Sequence, residues 1–400
     1  MMRITQRALQ IEPFYVMEIA KAAAHVAQTT AFKSSGKEMI RLNIGEPDFT
    51  AAPLVQERAM KVIRDGTTQY THAVGLEPLR ERISEWYRTK FGLSVASERI
   101  IITSGASAAL QLACLALVEQ GDEILMPDPC YPCNRQFVLA CGGTPKLITT
   151  SSKDRFQLNL EQVKENWSER TRGVLLASPS NPTGTSIAPT VLKDIVDFVH
   201  SKGGGCIADE IYIGLSYEEQ YAKSALSLSD QVISVNSFSK YFNMTGWRLG
   251  WMVVPQALVS AVERLAQNLF ICPSTVSQHA ALGCFEPESL ALFEQRRAQF
   301  KARRDTFVPA LNKLGLHVPV TPDGAFYAWA DCTEVCKKLG LSGSWDLAFE
   351  FLNKAYVAVA PGRDFGVQNT NQYIRFSTAS SGAQLQEAVS RLGQLILGKQ

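Results

Sequence analysis

A doubly wound α/β fold, with a mostly parallel seven-stranded sheet in a large domain and a smaller α+β domain beside it, is what these 400 residues predict. Two observations carry the expectation. Between residues 99 and 254 short apolar runs alternate with helix-sized spacers, and the runs lack the polar alternation of a sheet with one wet face. Each therefore reads as a strand covered on both sides. Beyond residue 252 the texture changes to long, charged, helix-like stretches, and strand signals return only in the last hundred residues, as expected where a second unit begins.

The runs are RIIIT (99–103), DEILMP (122–127), PKLITT (145–150), GVLLAS (173–178), GCIAD (205–209), VISVNS (232–237) and LGWMVV (249–254). Spacers 106–119, 159–167 and 189–202 have helical length, and the last carries Val191, Leu192, Ile195, Val196 and Val199 on one face. Segments 255–269 and 287–314 read as helices. GAFYAWAD (324–331), VAVAPG (357–362) and YIRFSTA (373–379) then read as strands of the smaller sheet, with helices over 345–354 and 383–397. The expected division is a large domain over 51–285 and a small one over 286–400. No repeat, low-complexity tract or Pro/Ser-rich linker separates the parts, so they are expected to pack directly together.

Composition narrows the function. Forty basic and 38 acidic side chains leave a formal charge of +2 on a chain that is 46% hydrophobic. That balance excludes a disordered chain and lacks the electrostatic footprint of a nucleic-acid binder, which favours small-molecule chemistry. The first residues carry Arg3, Arg7, Glu12 and Glu18 and no signal-peptide pattern, and the best candidate for a membrane span, the uncharged stretch 100–118, is broken by Thr103, Ser104, Gly105, Ser107 and Gln111. A cytoplasmic protein with no membrane segment is expected. Nine cysteines in apolar surroundings suit reduced thiols rather than a disulfide framework. Cys130 and Cys133 form a CxxC, but Cys332 and Cys336 are differently spaced and far away, and no histidine completes a four-ligand set, so no metal site is expected.

In a parallel sheet ligands sit beyond the carboxyl ends of the strands, so the residues after each run are the informative ones. Ser104, Gly105, Ala106 and Ser107 follow the first run and open a helix, offering free backbone N–H groups and a hydroxyl to an anion. Asn181 lies in SNPTG after the fourth run, Asp209 and Tyr212 in ADEIY after the fifth, and Ser237, Ser239 and Lys240 in SFSK after the sixth, with Arg248 shortly beyond. A lone aspartate is ordinarily a solvated charge and Asn-Pro-x-Gly ordinarily a turn. A lysine, an aspartate, an amide, a tyrosine and an anion cup at successive strand ends converge on one crevice.

At these residues the chain resembles the pyridoxal-phosphate-dependent aminotransferases of fold type I, class I and II branch. The resemblance spans NIGEPDF (43–49), YTHAVGLEPLR (70–80), TSGASAAL (103–110), PDPCYP (127–132), SPSNPTG (178–184), ADEIY (208–212), SFSK with GWRLGW (237–251), GAFYAW (324–329) and YIRFS (373–377). It implies that Lys240 binds pyridoxal 5'-phosphate covalently and shuttles the proton, and that Asp209 pairs with the ring nitrogen. Asn181 and Tyr212 would bond the ring oxygen and Tyr131 would stack on the ring. Ala106, Ser107, Ser237, Ser239 and Arg248 would hold the phosphate, with Tyr70 reaching it from a neighbouring subunit of a homodimer. Arg375 would clamp the substrate carboxylate, assisted by Asn181 and Gly45. The family resemblance, and not periodicity, also implies that residues 1–50 cross back to join the small domain. Departures from the commonest family pattern are the two cysteines flanking Tyr131 and a serine at Ser107.

The activity implied is amino-group exchange between an amino acid and a 2-oxo acid by a ping-pong route. A carbon–sulfur β-lyase would begin with the same Cα deprotonation. A cofactor-sensing regulator would need a DNA-binding segment, and about forty residues before NIGEPDF are too few for one. For the donor, 267–277 (QNLFICPSTVS) contains neither Arg nor Lys and offers Leu269, Phe270 and Ile271, and Phe14, Tyr15, Val16 and Met17 form an apolar segment that closes over substrate in relatives. A neutral or apolar amino acid is expected over aspartate, with His72 or a lysine elsewhere in the chain as alternative sources of a distal cation.

Overall fold

The computed structural model describes residues 2–398. Seven strands form one sheet: β1 (Ile100–Thr103), β2 (Glu123–Asp128), β3 (Thr144–Thr149), β4 (Thr171–Ala177), β5 (Gly205–Asp209), β6 (Ile233–Ser237) and β7 (Gly250–Val253). Their spatial order is β1-β7-β6-β5-β4-β2-β3. All neighbours are parallel except β7, which runs antiparallel to both β1 and β6. A parallel return needs a crossover of about a dozen residues or more, usually a helix. The link from Ser237 to Gly250 is instead occupied by tight turns, including a 3-10 turn at Thr245–Trp247, and the strand comes back reversed.

The uninterrupted apolar runs follow from burial on both faces. Along β5, Ile207 joins a core with Ile101, Leu112, Met126, Val235 and Met252, while Cys206 and Ala208 point into the opposite core with Leu125, Val174, Leu176 and Val196. Helix Gly105–Leu117 covers the first face and helix Pro189–Ser201 the second.

A second sheet holds β8 (Tyr327–Asp331), β9 (Ala360–Pro361) and β10 (Tyr373–Ser377) in the antiparallel order β9-β10-β8. Here the expected run VAVAPG divides. Val357–Ala358 pairs in parallel with Ile40–Arg41, and only Ala360–Pro361 joins β10. Val357, Ala358, Val359 and Ala360 are all fully buried, so hydrophobicity is continuous across the point where the pairing partner changes. Likewise β8 starts at Tyr327 rather than 324, because Ala325 sits at φ 57° and breaks the extended backbone. Helix Pro287–Lys313 serves both cores: Phe293 and Phe300 pack with the aromatic cluster beside the large sheet, and Phe307, Val308 and Leu311 pack beneath the small one.

Candidate active site

The carboxyl ends of β1, β2, β4, β5 and β6 meet residues of β8, β10 and the N-terminal segment around one cavity of about 400 Å³. Of the residues the resemblance assigns to cofactor or substrate, all but Tyr70 line it, whereas Ser104, Gly105, Tyr15, His72, Leu269, Phe270 and Ile271 do not. Lys240, Asp209, Tyr212, Ser237 and Ser239 come from the ends of β5 and β6, Ala106 and Ser107 from the helix after β1, Tyr131 from beyond β2 and Asn181 from beyond β4. Tyr70 is 84% exposed and lies outside the cavity in its own chain.

One end of the cavity is built for an anion. The first turn of helix Gly105–Leu117 leaves N–H groups without partners inside the helix, and Ser107, Ser237 and Ser239 surround it with hydroxyls. The Ser237 Oγ accepts from the Ser239 N–H at 3.0 Å, folding the turn before Lys240 inward. Arg248 takes the left-handed conformation at φ 52° and is steadied by donating from Nη1 to the Thr245 carbonyl at 3.0 Å. A Cβ at Gly105, itself at φ 78°, would lie 2.7 Å from an Arg248 guanidinium nitrogen. The left-handed backbone favours glycine there, and any side chain would have to push the tip of Arg248 aside.

At the centre, Lys240 Nζ donates to the Gly45 carbonyl at 2.7 Å. Burial lowers its pKa to about 8, with the Arg375 charge acting in the same direction. Asp209 is buried at the end of β5, accepting from the Ile211 N–H at 3.3 Å, and burial pushes its carboxyl up to about 7. The Tyr212 hydroxyl, raised well above the phenolic range by burial, lies 2.7 Å from that of Tyr327. Asn181 and Gly45 are both engaged: Gly45 holds the lysine, and the Asn181 Oδ1 accepts from Arg375.

Arg375 marks the other end. It is 2% exposed, donates to Asn181 Oδ1 at 2.8 Å and to the Asn43 carbonyl at 2.6 Å, and lies 4.4 Å from the Tyr327 ring centroid. Its Nε is buried without a partner. An unpaired donor on a buried guanidinium is costly unless an anion completes it.

Pyridoxal phosphate fits this donor set. The hydroxyls, the helix start and Arg248 suit a phosphate, Asp209 a protonated ring nitrogen, and Lys240 an aldehyde carbon, and the Gly105 cradle would be filled by any larger residue. Sequence reasoning missed Tyr327, although GAFYAW contains it; only pairing of β8 with β10 brings it beneath Arg375. It also gave no role to Asn43, Ile44 and Leu110, although NIGEPDF and TSGASAAL contain them. Cys130 and Cys133 flank Tyr131 as free thiols.

Comparison with known proteins agrees with this geometry. The family described as "Aminotransferase class I and II" matches residues 37–392. A valine–pyruvate aminotransferase of Mycobacterium tuberculosis is 35% identical over 392 residues, covering 98% of each chain. A (5-formylfuran-3-yl)methyl phosphate transaminase of Methanocaldococcus jannaschii is 33% identical over 396 residues, covering 98% of this chain and 99% of its own. The crystal structure of an aminotransferase from Mycobacterium tuberculosis superposes with a TM-score of 0.93 at 34% identity, covering 100% of both chains. Several further relatives are named aspartate aminotransferase.

Proposed function

Because the chain belongs to the class I and II aminotransferases, we propose that it moves an amino group from a neutral or apolar amino acid to a 2-oxo acid, as a cytoplasmic homodimer with shared sites. One observation carries the donor preference. The cations lining the cavity are Lys240, Arg248 and Arg375, each with a task of its own, while Phe14, Val16, Met17, Ile44 and Leu110 supply apolar wall. A dicarboxylate would leave its second charge facing carbon. His72, an alternative distal cation, is exposed and outside the cavity of its own chain, so like Tyr70 it would have to act on the partner subunit's site.

When bound, pyridoxal phosphate supplies a carbonyl carbon that condenses with amines and a ring that takes up the electron pair left at the substrate Cα. Ser107, Ser237, Ser239, Arg248 and the N–H groups of Ala106 and Ser107 would hold its phosphate, Asp209 the ring nitrogen, Asn181 and Tyr212 the ring oxygen, and Tyr131 the ring face. Arg375 binds the substrate carboxylate and so orients the Cα hydrogen. Lys240 Nζ, held near neutrality by burial, takes that proton and is the group placed to return it. The small domain and N-terminal segment roof the cavity and exclude water.

Support for a dimer comes from exposed apolar side chains: Met60, Ile63, Tyr70, Leu269 and Ile271. Tyr70 sits on a stiffened segment, since Thr275 donates to the Gln69 carbonyl at 2.7 Å and Gln278 to Thr71 at 3.0 Å. A cleft of about 780 Å³ opens beside Arg248 on the outer side, through which a partner's Tyr70 could reach the phosphate. For the cytoplasmic assignment, all nine cysteines are free, and among the described residues no helix is long and apolar enough to cross a membrane.

The test is a panel of alanine, valine, leucine, phenylalanine, aspartate and glutamate converting the enzyme-bound cofactor to its amine form, followed by absorbance. Neutral donors should react fastest. Aspartate outrunning every neutral amino acid would overturn the donor reading.

A further inference from the structure

The apolar wall of the cavity is the beginning of a helix that cannot cap itself. Helix Tyr15–Val26 has Phe14 at its cap position, with no side-chain acceptor there, so its first N–H groups need partners from elsewhere. Asp364 supplies both. Its Oδ1 accepts from the Tyr15 N–H at 3.1 Å and its Oδ2 from the Val16 N–H at 2.8 Å.

The residue before it grips the same turn from outside. The Arg363 guanidinium lies 4.3 Å from the Tyr15 ring centroid and 4.5 Å from that of Trp345, and the two rings meet edge to face. Asp364 is 1% exposed, and its backbone carbonyl accepts from Arg135 at 3.3 Å. Arg135 in turn reaches Glu12, just ahead of the wall, at 3.2 Å, and belongs to helix Pro132–Ala140, whose N-cap residue is Tyr131. The next residue, Phe365, accepts from the Cys130 N–H at 2.8 Å and places its ring 4.7 Å from the Arg375 guanidinium. One short turn thus touches the wall, the Tyr131 strand end and the carboxylate clamp. Burial pushes the Asp364 carboxyl up to about 6, while the Val16 and Tyr15 N–H groups and the charges of Arg375 and Arg135 hold it down.

We propose that Asp364, aided by Arg363, is a positioning residue that latches Phe14, Val16 and Met17 over the cavity and so sets how far the donor's side chain is enclosed. The proposal rests on the reading that donors are neutral or apolar. Asp364 touches no reacting atom, and its effect depends on the donor: a methyl side chain is too short to use the wall, whereas leucine and phenylalanine are held by it.

The test uses the cofactor-loaded enzyme and the variants Asp364→Ala, Asp364→Asn and Arg363→Ala. Apparent dissociation constants for alanine, leucine and phenylalanine are measured in the half-reaction, and amide hydrogen exchange is followed over residues 14–18. In Asp364→Ala, leucine and phenylalanine should weaken about tenfold or more, the size of a lost charge-assisted hydrogen bond, and alanine by less than about threefold. The Tyr15 and Val16 amides should exchange faster, and Asp364→Asn, which keeps one acceptor oxygen, should recover part of both effects. Equal weakening for all three donors, or unchanged exchange at Tyr15 and Val16, overturns the latch. Should Asp364→Ala not take up cofactor, the exposed Arg363→Ala must show the same order of donors at smaller amplitude, and its failure to do so overturns the latch equally. A wild-type preference for aspartate would refute the donor reading, while the exchange data judge the latch separately.

Discussion

Arg375 Nη1 donates to Asn181 Oδ1 across 2.8 Å, joining residues 194 positions apart and tying strand β10 of the small sheet to the loop after β4 of the large one. The same guanidinium keeps its Nε buried and unpaired. Arg375→Ala should therefore lower kcat/KM by the equivalent of about 2–5 kcal/mol, similarly for alanine, leucine and phenylalanine, because the α-carboxylate is common to all. Steady-state kinetics with the three donors checks this; a loss that grew with side-chain size would move Arg375 out of the carboxylate site.

Lys240 should react as an unusually weak base. With burial lowering its pKa to about 8, the neutral amine dominates above that value, so the rate at which cofactor-free enzyme captures pyridoxal phosphate should rise about tenfold per pH unit up to pH 8 and then level. Stopped-flow loading from pH 6 to 10 reads it. A rate still climbing at pH 10 would indicate an ordinary lysine, and Lys240→Ala should give no covalent absorbance band and almost no turnover.

Asp209 carries a stability signature of opposite sense to a salt-bridged carboxylate. Burial raises it to about 7, above its value in the unfolded chain, so its contribution to the cofactor-free fold is fully present below about pH 4 and is lost as pH rises through 7. Cofactor-free Asp209→Asn should accordingly melt higher than cofactor-free wild type at pH 8, by on the order of 3 kcal/mol of stability, with the gap closing near pH 4. With cofactor the order should reverse and turnover of the variant collapse. Calorimetry of both forms decides it.

Tyr327→Phe leaves the buried Tyr212 hydroxyl without its 2.7 Å partner. A destabilisation of about 1 kcal/mol is expected, together with a fall of up to about tenfold in kcat/KM. In the cofactor-free protein, Tyr212→Phe in the same background should add little further loss of stability, because the two hydroxyls bond one another. Full additivity in this double-mutant cycle would show that they act separately.

The proposed homodimer with shared sites makes a prediction for mixed dimers. Combining Lys240→Ala with Tyr70→Phe protomers should restore activity above either parent, since one site of each heterodimer regains both residues. Reconstitution after mild dissociation provides the measurement, and activity that merely averages the parents would place Tyr70 outside the partner's site.

The strands of the large sheet were legible because burial on both faces leaves a sequence signature that needs no knowledge of neighbours: GCIAD is apolar wherever β5 is placed, and it ends on Asp209 by its own length. The chemistry-bearing positions were legible for a related reason, as the carboxyl end of a parallel strand is a sequence position as well as a place in space. The division of VAVAPG between two pairings was not, since four buried residues in a row look alike whichever strand each one meets. Nor was the reversal of β7, which depends on a link too tightly turned for a crossover.

Within the site the same line separates local from long-range. The turn Ser237–Lys240 and the helix start at Gly105 are set by nearby residues; the residues alone implied an anion cup at Ser104–Ser107, and the family resemblance added Ser237 and Ser239 to it. That a Cβ at Gly105 would meet Arg248, that Tyr327 would sit under Arg375, and that Asp364 would cap a helix beginning at Tyr15 could be decided only by packing. Each of these contacts joins segments far apart in the chain, and hydrogen-bond geometry and close packing act on atoms within a few ångströms whatever their separation in sequence.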